Sequence, residues 1–198
     1  MADRHRFRAY WHDYNCGIYF VTICCANARH YFGEIEDGNM ALSPVGIIAE
    51  SQIQSLPSHF ANVEICNYVV MPNHVHVVIA VNPVDTRANV PENTPVGTLF
   101  KASAQTILHP SNNMGCLKPS NHDASVSQEF HHNSLLSIII RCMKGGITRD
   151  ARRSKMHFEW QSRYHEHIIS NQKTYEKIMS YIDLNVENWC RDLFYRVP

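Results

Sequence analysis

Residues 63–81, VEICNYVVMPNHVHVVIAV, constrain this chain more than any other stretch. Two runs rich in β-branched residues, 63–70 and 74–81, read as strands. Met71, Pro72, Asn73 and His74 leave room only for a tight connection between them. The pair therefore predicts an antiparallel hairpin in the middle of a sheet. Imidazole is out of place in a buried strand unless it serves a purpose. Residues i and i+2 of a strand share a face, so His74 and His76 project together while Val75 and Val77 project into a core. Two imidazoles side by side can ligate one metal ion. A third ligand has to come from elsewhere in the chain. The plainer alternative is a pair of partly exposed histidines at a sheet edge.

Around this hairpin the elements alternate. Residues 17–24, GIYFVTIC, read as a strand, and Asp37-Gly38 signals a hairpin within 33–43. A helix is expected over 44–56. Ser43 is its cap, Pro44 lies in its first turn, and Val45, Ile48, Ala49, Ile53 and Leu56 form its apolar stripe. Pro57 is expected to stop it. A second helix is expected over 134–155, with Leu135, Ile138, Ile139, Cys142 and Met143 on one stripe and Gly145-Gly146 weakening its middle. Part of 158–169 reads as strand. A last helix is expected over 171–189, carrying Tyr175, Ile178, Tyr181, Ile182, Asn185 and Trp189 at helical spacing. The expected fold is α+β: an antiparallel sheet of four or five strands with helices packed on one face, ferredoxin-like in layout.

The 198 residues suit a single domain, and a hydrophobic content of 44% is ample for its core. Residues 84–133, rich in Asn, Ser, Pro and Thr, are expected to form a flexible insertion, with a short helical piece at 96–108. No apolar run is long enough to span a membrane, and the basic, aromatic N-terminus lacks the apolar segment of a signal peptide. Seven cysteines at irregular spacing read as reduced thiols, and the expected location is cytoplasmic. The formal net charge is zero. Charge is nevertheless concentrated in 141–155, where Arg141, Lys144, Arg149, Arg152, Arg153 and Lys155 face a single acid, Asp150. Such a cluster is ordinarily a solvated face, and it becomes a binding surface if the partner is a polyanion.

The segment YVVMPNHVHVVI resembles the His-hydrophobic-His signature of the HUH single-strand DNA endonucleases. Its wording, VVMPNHVH, is similar to the REP-associated tyrosine transposases and their insertion-sequence-200-like relatives. YFGEIEDGNMALSPVGIIAES, LLSIIIRCMKGGITRDARR and WQSRYHEHIISNQKTYEKIMSYIDLN resemble the upstream hairpin and helix, the basic helix and the C-terminal block of that family. Residues 84–133 lie outside the resemblance. It implies a catalytic tyrosine at Tyr181, in YIDLN, and a third metal ligand at Asn185. Val186 stands where the family usually has proline, so the helix is expected to run on through 186–192. The block Trp160, Gln161, Arg163, Tyr164, Glu166 and His167 matches the family's pattern. It implies His167 as an accessory catalytic group and Arg163 as a DNA contact.

The implied activity is single-strand DNA cleavage and strand transfer through a 5′-phosphotyrosine, as in a transposase. A divalent metal, Mg²⁺ or Mn²⁺, would polarise the scissile phosphate. The implied partner is single-stranded DNA, probed at a hairpin or repeat, with the protein a monomer or homodimer. DNA contacts are expected from Arg141, Lys144, Arg149, Arg152 and Arg153, and weakly from Arg4, Arg6 and Arg8. Tyr181 also lies on an apolar helical stripe, where a tyrosine is ordinarily a core residue, and Tyr164 and Tyr175 are competing nucleophiles. Three alternatives stay open: a hairpin-binding protein without turnover, a replication-type nickase, and an HxH metal hydrolase with an activated water.

Overall fold

A computed structural model describes residues 12, 14–83 and 134–195. The expected insertion at 84–133, the 96–108 helix and the arm carrying Arg4, Arg6 and Arg8 lie outside the described residues. Among the described residues, six strands and three α-helices follow in the order β1 (Gly17–Cys24), β2 (Gly33–Glu36), β3 (Asn39–Leu42), α1 (Pro44–His59), β4 (Val63–Met71), β5 (His74–Val81), α2 (Leu135–Arg153), β6 (His165–Ile169) and α3 (Gln172–Asp183). The main sheet has the order β4-β5-β1-β6, with every neighbouring pair antiparallel. With the β2–β3 hairpin set aside, the connectivity is βαββαβ, the split βαβ arrangement of a ferredoxin-like fold. The chain is α+β, as its pattern predicted.

Local chemistry accounts for the elements. Asp37 and Gly38 both take positive φ, 50° and 76°, the mirror-image turn that Asp-Gly favours between strands. Ser43 caps α1, its Oγ accepting from the Gly46 amide at 3.1 Å. Pro57 does not stop α1, which continues to His59. The proline sits in the last turn, where its missing N–H forfeits one hydrogen bond and the Phe60 amide still closes onto the Leu56 carbonyl. α2 is unbroken through Gly145-Gly146, and Gly146 faces the Gln52 side chain of α1. A Cβ there would stand 2.2 Å from Gln52 Oε1.

β5 is buried along its whole length and divides the core. Val75, Val77, Ile79 and Val81 face one layer with Val21 and Ile23 of β1, covered by Ala49 and Ile53 of α1 and Ile139, Met143 and Ile147 of α2. Val78 and Ala80 face the other layer with Ile18 and Ile169, covered by Ile178, Met179 and Ile182 of α3. So α1 and α2 share one face, and α3 lies on the opposite one. A bulge at Cys66 shifts the register between Ile65 and Asn67, so β4 changes side-chain parity midway.

Two further expectations need correcting. The last helix was expected through 171–189 but ends at Asp183, even without a proline at 186. Beyond it the chain turns, with a short 3-10 turn at Trp189–Arg191. Trp189 is buried in contact with His74. A straight helix would carry it about 9 Å further along the axis instead. The thiols are not all reduced: Cys16 is disulfide-bonded. Cys24, Cys25, Cys66, Cys142 and Cys190 are free. No described helix is long and apolar enough to cross a membrane.

Candidate metal centre and catalytic tyrosine

Register puts the two histidines in the α3 layer. His74 pairs with Met71 and Cys24, and His76 pairs with Val69 and Thr22. Both are buried, at 0% and 1% exposure. Each has its Nδ1 held by a neighbour: Asn73 Oδ1 lies 2.8 Å from His74 Nδ1, and Thr22 Oγ1 lies 2.8 Å from His76 Nδ1. The two Nε2 atoms are turned toward one another, 3.0 Å apart. An amide oxygen only accepts, so His74 donates through Nδ1 and its Nε2 carries a lone pair. The contact with His76 is then bridged by a proton on His76 Nε2 or by a cation. In the second state the Thr22 hydroxyl turns to accept from His76 Nδ1, and both Nε2 lone pairs face the ion. Burial pushes His74 down to about 3, and burial with the neighbouring His74 holds His76 well below its ordinary value. Both imidazoles are therefore neutral near pH 7, as metal ligands must be.

The segment after α3 folds back over these rings. Trp189 and Phe194 stand 5.9 and 4.8 Å from His74, centroid to centroid. Asn73 anchors the fold-back, its Nδ2 donating to the Phe194 carbonyl at 2.9 Å. Tyr181, on the last turn of α3, brings its hydroxyl 3.2 Å from His76 Nε2 and donates to Asp192 Oδ2 at 2.9 Å. Asn185 Nδ2 reaches the same carboxylate oxygen at 3.4 Å. Burial and the Asp192 carboxylate push the Tyr181 phenol up to about 12. Tyr181 is 42% exposed; its ring meets Phe20 edge-on, and Phe20 stacks on His76. Close by, Asn67 next to the bulge donates to Asp183 Oδ1 at 2.8 Å, which ties the end of α3 to β4.

The residues fit a divalent cation. One ligand atom each from His74, His76 and Asp192 lies within 4.8 Å of the others. Asn185, 2% exposed, has an Oδ1 without a hydrogen-bond partner, a vacant acceptor beside the cluster. Two imidazole nitrogens with carboxylate and amide oxygens suit Mn²⁺ better than Mg²⁺, which prefers oxygen ligands throughout. Sequence reasoning missed Asp192. It stands eleven residues beyond Tyr181, past an irregular turn, so no helical or strand period relates it to the other ligands. The only signal was an acid in the segment expected to prolong α3.

His74, His76, Tyr181 and Asn185 thus come together, but the remaining expected site residues lie elsewhere. His167 pairs with Phe20, two residue rows along the sheet from His76 and on the same face. His165, not singled out from the sequence, shares the row of His76 through Thr22. Both are exposed on the edge strand. Arg141, Lys144, Arg149, Arg152 and Arg153 line an open groove of about 890 Å³ between α2 and residues 162–164, in the other layer. Lys144 donates to the Gln161 carbonyl at 2.9 Å and lies over Trp160. Arg163 is exposed beside this groove.

No family model matches the chain. An uncharacterized protein of Haemophilus influenzae is 31% identical over 182 residues, 90% of this chain and 85% of that protein. Among solved structures, the chain is similar to a REP-associated tyrosine transposase bound to a REP hairpin. That match has a TM-score of 0.49 at 18% identity, covering 96% of this chain and 74% of the other. A candidate transposase from Deinococcus radiodurans aligns with a TM-score of 0.41 at 12% identity, over 92% and 96% of the two chains.

Proposed function

We propose that this chain, which belongs to one family with the uncharacterized Haemophilus influenzae protein, is a metal-dependent single-strand DNA endonuclease and strand transferase of the tyrosine-transposase type. The observation that carries the reading is the contact of the Tyr181 hydroxyl with His76 Nε2 at 3.2 Å. It joins a candidate nucleophile to a candidate metal centre through residues 105 positions apart.

A divalent cation held by His74, His76 and Asp192, with Asn185 Oδ1 beside them, would supply positive charge for a phosphate oxygen. The rest falls to the chain. Tyr181 is a poor nucleophile as a phenol at about 12, so its proton must leave as the bond to phosphorus forms. Asp192 Oδ2 already accepts that hydrogen at 2.9 Å. Attack forms the Tyr181 O–P bond and breaks the P–O3′ bond, whose electron pair leaves with the 3′-oxygen. The 3′-oxygen takes up the proton that Asp192 received, and a 5′-phosphotyrosine and a free 3′-hydroxyl remain. Because the link conserves the phosphodiester's energy, a second 3′-hydroxyl can reverse the step without ATP. Asn73 and Thr22 fix the imidazole orientations, and Trp189 and Phe194 keep water from His74.

The test incubates the protein with labelled single-stranded hairpin DNA and Mn²⁺. An adduct resistant to SDS, carrying the 5′ end of the downstream fragment, is expected, and Tyr181→Phe should abolish it. An adduct surviving in the Phe variant transfers the role to Tyr164 or Tyr175. Cleavage without any adduct favours a second reading, a metal hydrolase with Asp192 as its base. The Asp192 carboxylate at the site is the observation that keeps this reading alive.

A further inference from the structure

Beside Tyr181 lies a cavity of about 320 Å³ that nothing above uses. Ser180, Leu184, Asn188 and Arg191 line it together with Tyr181, Asn185 and Asp192. Its size falls at the small end of ligand pockets, too small for a duplex and suited to one nucleotide. Its apolar surface comes from Tyr181 and Leu184, 42% and 48% exposed, large faces for a sugar or base to cover. Its polar groups are neutral donors and acceptors plus two charges, Arg191 and Asp192. The buried Asn185 Oδ1 without a partner belongs to the same lining.

The groove on α2 cannot serve a phosphate at Tyr181, because it lies in the other layer of the sheet. Arg191 is the cation of this pocket, on the 3-10 turn that precedes Asp192. We propose that this pocket holds the nucleotide whose phosphate Tyr181 attacks, and that Arg191 is its phosphate clamp. The clamp's place in the reaction rests on the function proposed above. The nucleotide site itself rests on the cavity and its lining. A guanidinium fork offers two parallel N–H donors to phosphate oxygens and meets the charge that grows on them during displacement. It would also offset the repulsion between that phosphate and Asp192. Leu184 and Tyr181 hold the nucleoside, and Ser180 and Asn188 hydrogen-bond its edges.

Two measurements test this, and they fail separately. The first is calorimetric titration of the metal-free protein, in EDTA, with thymidine 5′-monophosphate. Arg191→Gln should weaken binding by about tenfold or more, and Arg191→Lys should restore part of it, since lysine keeps the charge without the fork. A triple Gln variant of Arg149, Arg152 and Arg153 should bind as wild type does. Equal affinity in wild type and Arg191→Gln overturns the proposal, as does loss of binding only in the triple variant or no binding by wild type. The second uses thymidine 5′-(p-nitrophenyl phosphate) with Mn²⁺. Tyr181 oxygen bonds to phosphorus, the P–O bond to the aryl group breaks, nitrophenolate leaves with the electron pair, and the phenolic proton passes to Asp192. One equivalent of nitrophenolate per protein is expected, released about 10²-fold more slowly in Arg191→Gln. An unchanged rate overturns the clamp. If wild type gives no burst while nucleotide binding still depends on Arg191, the nucleotide pocket stands and the tyrosine mechanism falls.

Discussion

At the scale of single residues, the centre depends on which ring nitrogen carries a proton. Thr22 can donate to His76 Nδ1 in one state and accept from it in the other, so it lets the chain pass from a proton bridge to an ion bridge. Thr22→Val keeps the shape and removes that hydroxyl. It should lower Mn²⁺ affinity by about 10–100-fold in calorimetric titration. His74→Ala, which removes a donor outright, should abolish it and leave DNA affinity largely intact. Equal affinities across wild type and both variants would show that the ion binds elsewhere. The same imidazoles set a pH dependence. Their folded values lie below the ordinary 6.5, so between about 6.5 and 3 the unfolded chain binds more protons than the folded one. Stability is then full above pH 6.5. It falls as pH drops, by up to about 1.4 kcal/mol per pH unit for each buried imidazole. Urea titrations at pH 7, 6 and 5 should show this fall for the metal-free protein, and His76→Gln should reduce its slope.

At the scale of elements, two glycines with opposite surroundings make opposite predictions. Gly145 has nothing within 4 Å of a Cβ and sits mid-helix in α2, so Gly145→Ala should stabilise by about 0.5–1 kcal/mol. Gly46 lies in the first turn of α1 against the Phe32 carbonyl, 2.1 Å from where a Cβ would sit, so Gly46→Ala should cost about 1–3 kcal/mol. Thermal melts of the two variants should move in opposite directions. The elements also show what a sequence can and cannot display. The HxH strand was legible because period two is unambiguous in a run of valines, and the β2–β3 turn because Asp-Gly has few other uses. The stripe of α2 was read one residue out of phase. Leu136, Ile139, Ile140, Met143 and Ile147 are buried, and Cys142 is exposed. Gly146 and Ala151, the small residues where α2 packs closely, are weak signals of an apolar face. The end of α3 had no local mark at all. It is decided by Trp189 finding His74, a contact between distant parts of the chain, and Asp192 was hidden for the same reason.

At the scale of the whole molecule, the sheet separates two kinds of work. The α2 layer presents the basic groove, and the α3 layer holds the candidate metal site and Tyr181. Affinity and chemistry should therefore come apart by mutation. Replacing Arg149, Arg152 and Arg153 by Gln should weaken single-strand binding. It should also flatten the log-affinity against log-salt slope by roughly 0.7 per lost contact, with Mn²⁺ affinity unchanged. An unaltered slope would mean these side chains only face solvent. In their ion pairs with Asp150, at 3.2 and 3.6 Å, Arg149 and Arg153 are exposed, and Asp150 keeps its hydrogen bond from Gln52, so the fold should tolerate the change. The distance along the chain between the two halves of the centre has a consequence for synthesis. His76 leaves the ribosome 105 residues before Tyr181. At roughly 5–20 residues per second, that interval lasts roughly 5–20 s. During it the nascent chain holds the two imidazoles without Tyr181 or Asp192, so the candidate centre stays incomplete throughout that interval.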